Sequence, residues 1–138
     1  MAYLVDTNVL SELRKGERCD AGVAAWFARA EDDDIFLSVL VMGELQRGVD
    51  RIRRRDAQGA DALGRWLEHL MITYADRILP VTLPIARLWG SFGVPDPVPT
   101  VDGLLAATAL HHALVLVTRN EKDVVATGVR VLNPFKRT

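Results

Sequence analysis

The sequence predicts an α/β fold around one central, mainly parallel sheet, and three features predict it. Strand-like and helix-like apolar periodicities alternate along the whole chain. The strand segments Tyr3-Leu4-Val5, Ile35-Phe36-Leu37 and Val115-Leu116-Val117 are apolar throughout, as expected of strands covered by helices on both faces. Helical segments separate consecutive strands, which is the pattern of layered crossovers rather than of hairpins.

The elements follow in order. Tyr3-Leu4-Val5 is too brief for a helix and stops at Asp6-Thr7-Asn8, so it reads as a buried strand. A short helix through Val9, Leu10 and Leu13 ends near Gly16, and Val23, Trp26 and Phe27 mark a second helix over Ala21 to Ala30. The acidic run Glu31 to Asp34 reads as a solvated turn before the second strand, Ile35-Phe36-Leu37. Ser38 is placed to cap the next helix, which carries Val41, Leu45, Val49 and Ile52 on one face. Another helix is expected from about Ala60 to Tyr74, a proline-bearing strand at Ile78-Leu79-Pro80-Val81, and a helix over Ile85 to Trp89. Val94 to Pro99, with three prolines, is a connector. Thr100 is expected to cap an apolar helix reaching about His112, followed by the strands Val115–Val117 and Val129–Leu132.

The chain has 138 residues, 49% of them hydrophobic, enough for a single domain over 1–138 with its own core. Seventeen Lys and Arg against 18 Asp and Glu give a net charge of −1, which excludes a uniformly basic nucleic-acid binder and leaves only local basic patches. One cysteine, Cys19, excludes a disulfide framework or a cysteine zinc site and agrees with a reducing cytoplasm. No apolar run approaches the ~18 residues of a membrane span, and MAYLVDTN is not a signal sequence. A cytoplasmic protein without membrane contact is expected.

In sheets of this class the working crevice lies at the carboxyl ends of the strands. Asp6 follows the first strand there; Asn120 follows Val115–Val117, with Asp123 one helical turn beyond. Asp102 sits in the first turn of the apolar helix, and Glu44 is embedded in Val41-Met42-Gly43-Glu44-Leu45. Each has an ordinary reading: Asp6 and Asn120 as turn caps, Asp102 as an answer to the helix dipole. Glu44 resists one, because a carboxylate beside a core-facing stripe needs a partner. Together the acids would repel one another and raise their pKa values unless a cation neutralised them. An all-oxygen donor set selects a hard ion such as Mg2+ or Mn2+.

Val5-Asp6-Thr7-Asn8-Val9-Leu10-Ser11-Glu12 resembles the opening motif of the PIN-domain ribonucleases. Val41 to Gly48 is similar to the helix carrying that family's acid, Asp102 with Leu104 to Ala109 to its third motif, and Leu116 to Asp123 to its fourth. Val131-Leu132-Asn133-Pro134-Phe135 is similar to the usual ending, so the resemblance spans essentially the whole chain and lies nearest the VapC/FitB branch. It implies a PIN-like three-layer sandwich and an Mg2+-dependent endoribonuclease acting as the toxin of a toxin–antitoxin pair. Asp6 and Asp102 would be the primary metal ligands, with Glu44 a ligand through water or the base that orients the attacking water. Asp123 is a further candidate ligand. Many relatives carry Asp where this chain has Asn120, which brings no charge and puts a second ion in question. Thr7, Asn8, Arg119, Arg47 and Arg51 are the candidate contacts to RNA or a partner. The implied partners are a VapB-like antitoxin, RNA, a second copy of the chain paired through the helices from Ala21 and Ala60, and operator DNA only through the antitoxin.

Other features have plainer readings. Adjacent helical residues point about 100° apart, so His111 and His112 suit a helix end better than a metal pair. Trp26, Trp66 and Trp89 read as core, and Arg51, Arg53, Arg54 and Arg55 as a solvated helix end. A dinucleotide enzyme is disfavoured because no glycine-rich turn follows the first strand. The remaining rivals are a phospho-aspartate phosphatase or phosphoacceptor domain, which would want a second Asp at Asn8 or a late lysine, and a catalytically weak PIN-fold binding module, which rests on Asn120.

Overall fold

A computed structural model describes residues 1–136. Its five strands are parallel and stand in the order β3-β2-β1-β4-β5. β1 (Tyr3–Val5) is central: Tyr3 registers with Ile35 of β2 (Ile35–Ser38) on one side and with Val115 of β4 (Val115–Val117) on the other. β3 (Ile78–Leu79) and β5 (Val131–Leu132) form the edges. The strand order therefore reverses direction at β1, and a crevice opens beyond the carboxyl ends of β1 and β4.

The helices are α1 (Thr7–Leu13), α2 (Ala21–Arg29), α3 (Val39–Arg53), α4 (Ala57–Thr73), α5 (Leu83–Ser91), α6 (Thr100–His111) and α7 (Glu121–Val124). Ser38 caps α3 as expected, its hydroxyl accepting the Leu40 N–H at 3.0 Å. α4 begins three residues ahead of Ala60 because the Asp56 carboxylate accepts the Gly59 N–H at 2.9 Å. α5 begins ahead of Ile85, with Pro84 pre-set in its first turn. Thr100 is not a cap: it is the first helical residue of α6, and the Pro99 carbonyl before it accepts the Gly103 N–H at 2.8 Å.

β3 stops at Leu79 because Pro80 has no N–H to offer a ladder. β5 starts only at Val131, after a left-handed turn at Gly128 (φ 78°). The acidic run forms a short turn over Asp32–Asp34, and His111 and His112 close α6 with their rings edge to face.

The core lies between sheet and helices. Leu4, Val5, Leu37 and Val117 of the strands are fully buried together with Val9, Val23, Val41 and Leu105 of the helices. Trp26 is buried as expected, but Trp66 and Trp89 are only half-buried. Trp66 lies under the Arg14 guanidinium, and Trp89 packs edge-on against α6 at Gly103. A Cβ at Gly103 would come within 3.0 Å of Trp89 Cδ1, so this glycine lets α5 and α6 approach one residue beyond Asp102. Among the described residues no helix is long and apolar enough to cross a membrane.

Candidate active site

Asp6 is only 5% exposed. Its N–H donates to the Val117 carbonyl at 2.9 Å, carrying the β1–β4 pairing one residue past the strand and setting Asp6 beside Thr118. There the Thr118 hydroxyl, itself buried, donates to Asp6 Oδ2 at 2.7 Å. The Thr7 N–H donates to Oδ1 at 2.7 Å, and Asn8 Nδ2 reaches Oδ2 at 3.4 Å. Burial pushes the Asp6 carboxyl above the ordinary range and the Glu44 charge pushes the same way, while these three donors pull it back. Asp6 is also the N-cap of α1, so its ordinary reading as a cap holds.

Thr118 ties the crevice together. Its hydroxyl accepts the Asn120 N–H at 3.0 Å while donating to Asp6. Asn8 bridges the same two strand ends, its Oδ1 accepting the Arg119 N–H at 3.2 Å. Glu44, half-buried on α3, has the partner its position demanded: the Thr7 hydroxyl donates to Oε1 at 2.6 Å. Thr7 and Asn8, expected as contacts to RNA or a partner, thus have their side chains engaged in holding the acids.

Asp102, in the first turn of α6, is half-buried. Its carboxyl is pushed up to about 6, first by burial, then by the charges of Asp6 and Asp123 and more weakly by Glu44; the Asn120 amide opposes them. Asn120 occupies the N-cap position of α7, yet its side chain makes no cap bond there. It serves Asp102 instead. The fold therefore gathers Asp6, Glu44, Asp102, Asn120 and Asp123 at one end of the sheet, and Asn120 and Asp123 both act on Asp102.

Among the described residues no three acidic, histidine or cysteine side chains stand in ligating geometry. Asp6 and Glu44 each accept from a threonine hydroxyl, and the Asn120 amide favours the ionised form of Asp102. Every atom of the cluster that could ligate an ion is oxygen, and its mutual repulsion would be relieved by a cation.

Arg119 is exposed, with its guanidinium 4.4 Å from the centroid of the Phe135 ring. Arg47 and Arg51 line a separate open cleft along α3 with Gln46, Asp50 and Arg54, and none of the four acids lines it. Thr118 is the member that sequence reasoning passed over. A threonine directly after an all-apolar strand was visible, but its role needs the β1–β4 register, which pairs Val5 with Val117.

A family profile for the PIN domain matches residues 3–127. The chain belongs to the PIN-domain family. This PIN domain is 30% identical to Toxin FitB of Neisseria gonorrhoeae, with 96% of this chain and 97% of that protein aligned. It is also 30% identical to VapC ribonuclease Y4jK of Sinorhizobium fredii, over 96% and 97% of the two chains. The crystal structure of FitAcB from Neisseria gonorrhoeae superposes with a TM-score of 0.87 at 30% identity, covering 96% of this PIN domain and 98% of that chain.

Proposed function

We propose that this PIN domain is a divalent-metal-dependent endoribonuclease and the toxin of a toxin–antitoxin pair. The observation that carries the reading is the acid cluster at the ends of β1 and β4, where neighbouring charges add to burial in pushing Asp102 up to about 6. All-oxygen donors with unrelieved repulsion fit a hard ion such as Mg2+ or Mn2+. Asp6 and Asp102 would hold it, with Glu44 and Asp123 at the margin of the site. When bound, such an ion supplies positive charge against the scissile phosphate and acidifies the attacking water.

The chain's own residues do the positioning. Thr118 and the Thr7 N–H hold the Asp6 carboxylate in one orientation and favour its ionised form. Glu44, held by Thr7 through one oxygen, keeps its second oxygen to orient water or take its proton. Asn120 adds a donor to Asp102 without adding charge, which suits one ion better than two. The name VapC ribonuclease supports RNA as substrate, and the name Toxin FitB, with the FitAcB structure, supports an antitoxin as partner; we expect that antitoxin to be VapB-like. A homodimer, a cytoplasmic setting and contact with operator DNA only through the antitoxin complete the reading.

Incubation of the pure protein with single-stranded RNA tests it directly. Cleavage is expected with Mg2+, and none with chelator or in Asp102→Asn. Cleavage that persists in chelator overturns the metal assignment. RNA binding without any cleavage leaves the catalytically weak binding module in its place.

A further inference from the structure

Beside the acid cluster lies an open cleft of about 740 Å³ between α7 and the carboxyl-terminal segment. That volume falls within the ~300–1,000 Å³ usual for small-ligand sites. One wall is shared with the acids, because Asn120 and Asp123 line the cleft and both act on Asp102. The opposite wall carries Phe135, half-buried, with the Arg119 guanidinium over its ring.

The main chain that carries both groups is held by hydrogen bonds. The Phe135 N–H donates to Asn133 Oδ1 at 3.0 Å, and Asn133 Nδ2 donates in turn to Glu121 at 3.1 Å. Glu121 is also paired with Lys136 at 2.6 Å. Arg119 is tied through its N–H to Asn8, the residue that also reaches Asp6. Glu121 is thereby matched by a cation. Among the described residues neither Arg119 nor Lys122, the other cations of the cleft, is in a salt bridge.

An aromatic ring, a guanidinium plane and side-chain amides at the edge are the parts with which proteins hold unstacked bases of single-stranded RNA. A lone phosphate would use the cations and leave the ring idle. We propose that this cleft is a subsite for one nucleobase of single-stranded RNA, next to the scissile phosphate, seated on Phe135 and Arg119. The inference rests on the ribonuclease reading and adds a specificity-determining site to it. With the guanidinium already against the ring, a bound base orders less side chain and keeps more of its contact energy as affinity.

The test uses a short single-stranded RNA containing one cleaved bond, and a series in which each flanking nucleotide in turn is abasic. Binding is read by fluorescence anisotropy in chelator, and kcat/KM in Mg2+. Wild type should lose about five- to a hundredfold in affinity at one abasic position and much less elsewhere. Phe135→Leu, which keeps the apolar contact, should lose affinity for the intact RNA by a similar factor and no longer distinguish the abasic strand. Phe135→Trp should restore the distinction. Arg119→Gln, at an exposed side chain, gives the same readout should Phe135→Leu fail to fold.

A folded Phe135→Leu that still distinguishes the abasic strand, or a wild type indifferent to every abasic position while cleaving RNA, overturns the subsite and leaves the ribonuclease reading intact. A wild type that neither binds nor cleaves RNA overturns both. Phe135→Leu that loses affinity for a protein inhibitor but not for RNA reassigns the cleft to a protein side chain and also overturns the proposal.

Discussion

At the end of β1, Asp6 is buried and accepts hydrogen bonds from Thr118, Thr7 and Asn8; at the start of α6, Asp102 is half-buried and faces three carboxylates with one amide in its favour. Both carboxyls are raised, but by different balances. For Asp6 burial is opposed by donors, and the neighbouring charge is a minor contribution. For Asp102 neighbouring charges stand directly behind burial. One acid is therefore fixed in place, and the other is the point where the cluster's repulsion collects. A cation has more to relieve at Asp102, whereas structural support matters more at Asp6.

The largest expected effect treats the two alike. Asp6→Asn and Asp102→Asn should each lower Mg2+-dependent RNA cleavage by about a hundredfold or more, since each removes a negative charge that would hold the cation. Single-turnover cleavage of a labelled RNA measures this. Near-wild-type rates in both variants would remove the proposed site.

Thr118→Val separates the halves next. It strips Asp6 of its buried donor and leaves the Asn120 N–H without its acceptor, so urea unfolding should show a loss of about 1–3 kcal/mol. Thr7→Val, whose partner Glu44 is only half-buried, should cost less. The reverse order would mean that Asp6 is not the better-anchored acid.

Metal-free stability reads the repulsion itself. The folded Asp102 carboxyl binds its proton up to about pH 6, whereas the unfolded group releases it near pH 4. Its contribution to stability is thus fully present below pH 4 and is lost as the pH rises toward and through 6. Asp102→Asn should accordingly raise the metal-free Tm at pH 7 by a few degrees, equivalent to about 1 kcal/mol after allowance for solvent screening. The gain should vanish at pH 4. Asp6→Asn should show no such gain, because an amide offers one acceptor oxygen where the carboxylate used both. Equal behaviour of the two variants across this pH range would erase the distinction.

The smallest effect concerns the fourth position. Asn120→Asp takes a donor from Asp102 and adds a charge, so calorimetric titration at fixed ionic strength should show severalfold tighter Mg2+ or Mn2+ binding. Asp123→Ala should weaken that binding less than Asp102→Ala does. Abolition of binding by Asp123→Ala, with no effect of Asn120→Asp, would make Asp123 the fourth acid.

Much of this was legible in the residues. All-apolar strands alternating with amphipathic helices dictated the layered parallel sheet, because an apolar strand must be covered on both faces. Asp6 was readable as a crevice residue because it directly follows such a strand, and Asn120 because it lies three residues past the end of another. Element boundaries were less legible. Thr100 and Ala60 were misplaced because Pro99 and Asp56 start their helices with backbone and side-chain acceptors that apolar periodicity does not register.

The sequence by itself determined the fold class, the acids available and the all-oxygen character of the cluster, since these follow from local patterning and residue chemistry. Only the tertiary structure decided how those acids are held. Thr118 reaches Asp6 across 112 positions of chain, and Thr7 reaches Glu44 across 37. Such bonds depend on strand register and helix docking, and no local pattern carries that information. The same holds for the cleft at Phe135: its ring and Arg119 meet because β4 and β5 are neighbours in the sheet. The residues that follow those two strands come together through that pairing rather than through any spacing along the chain.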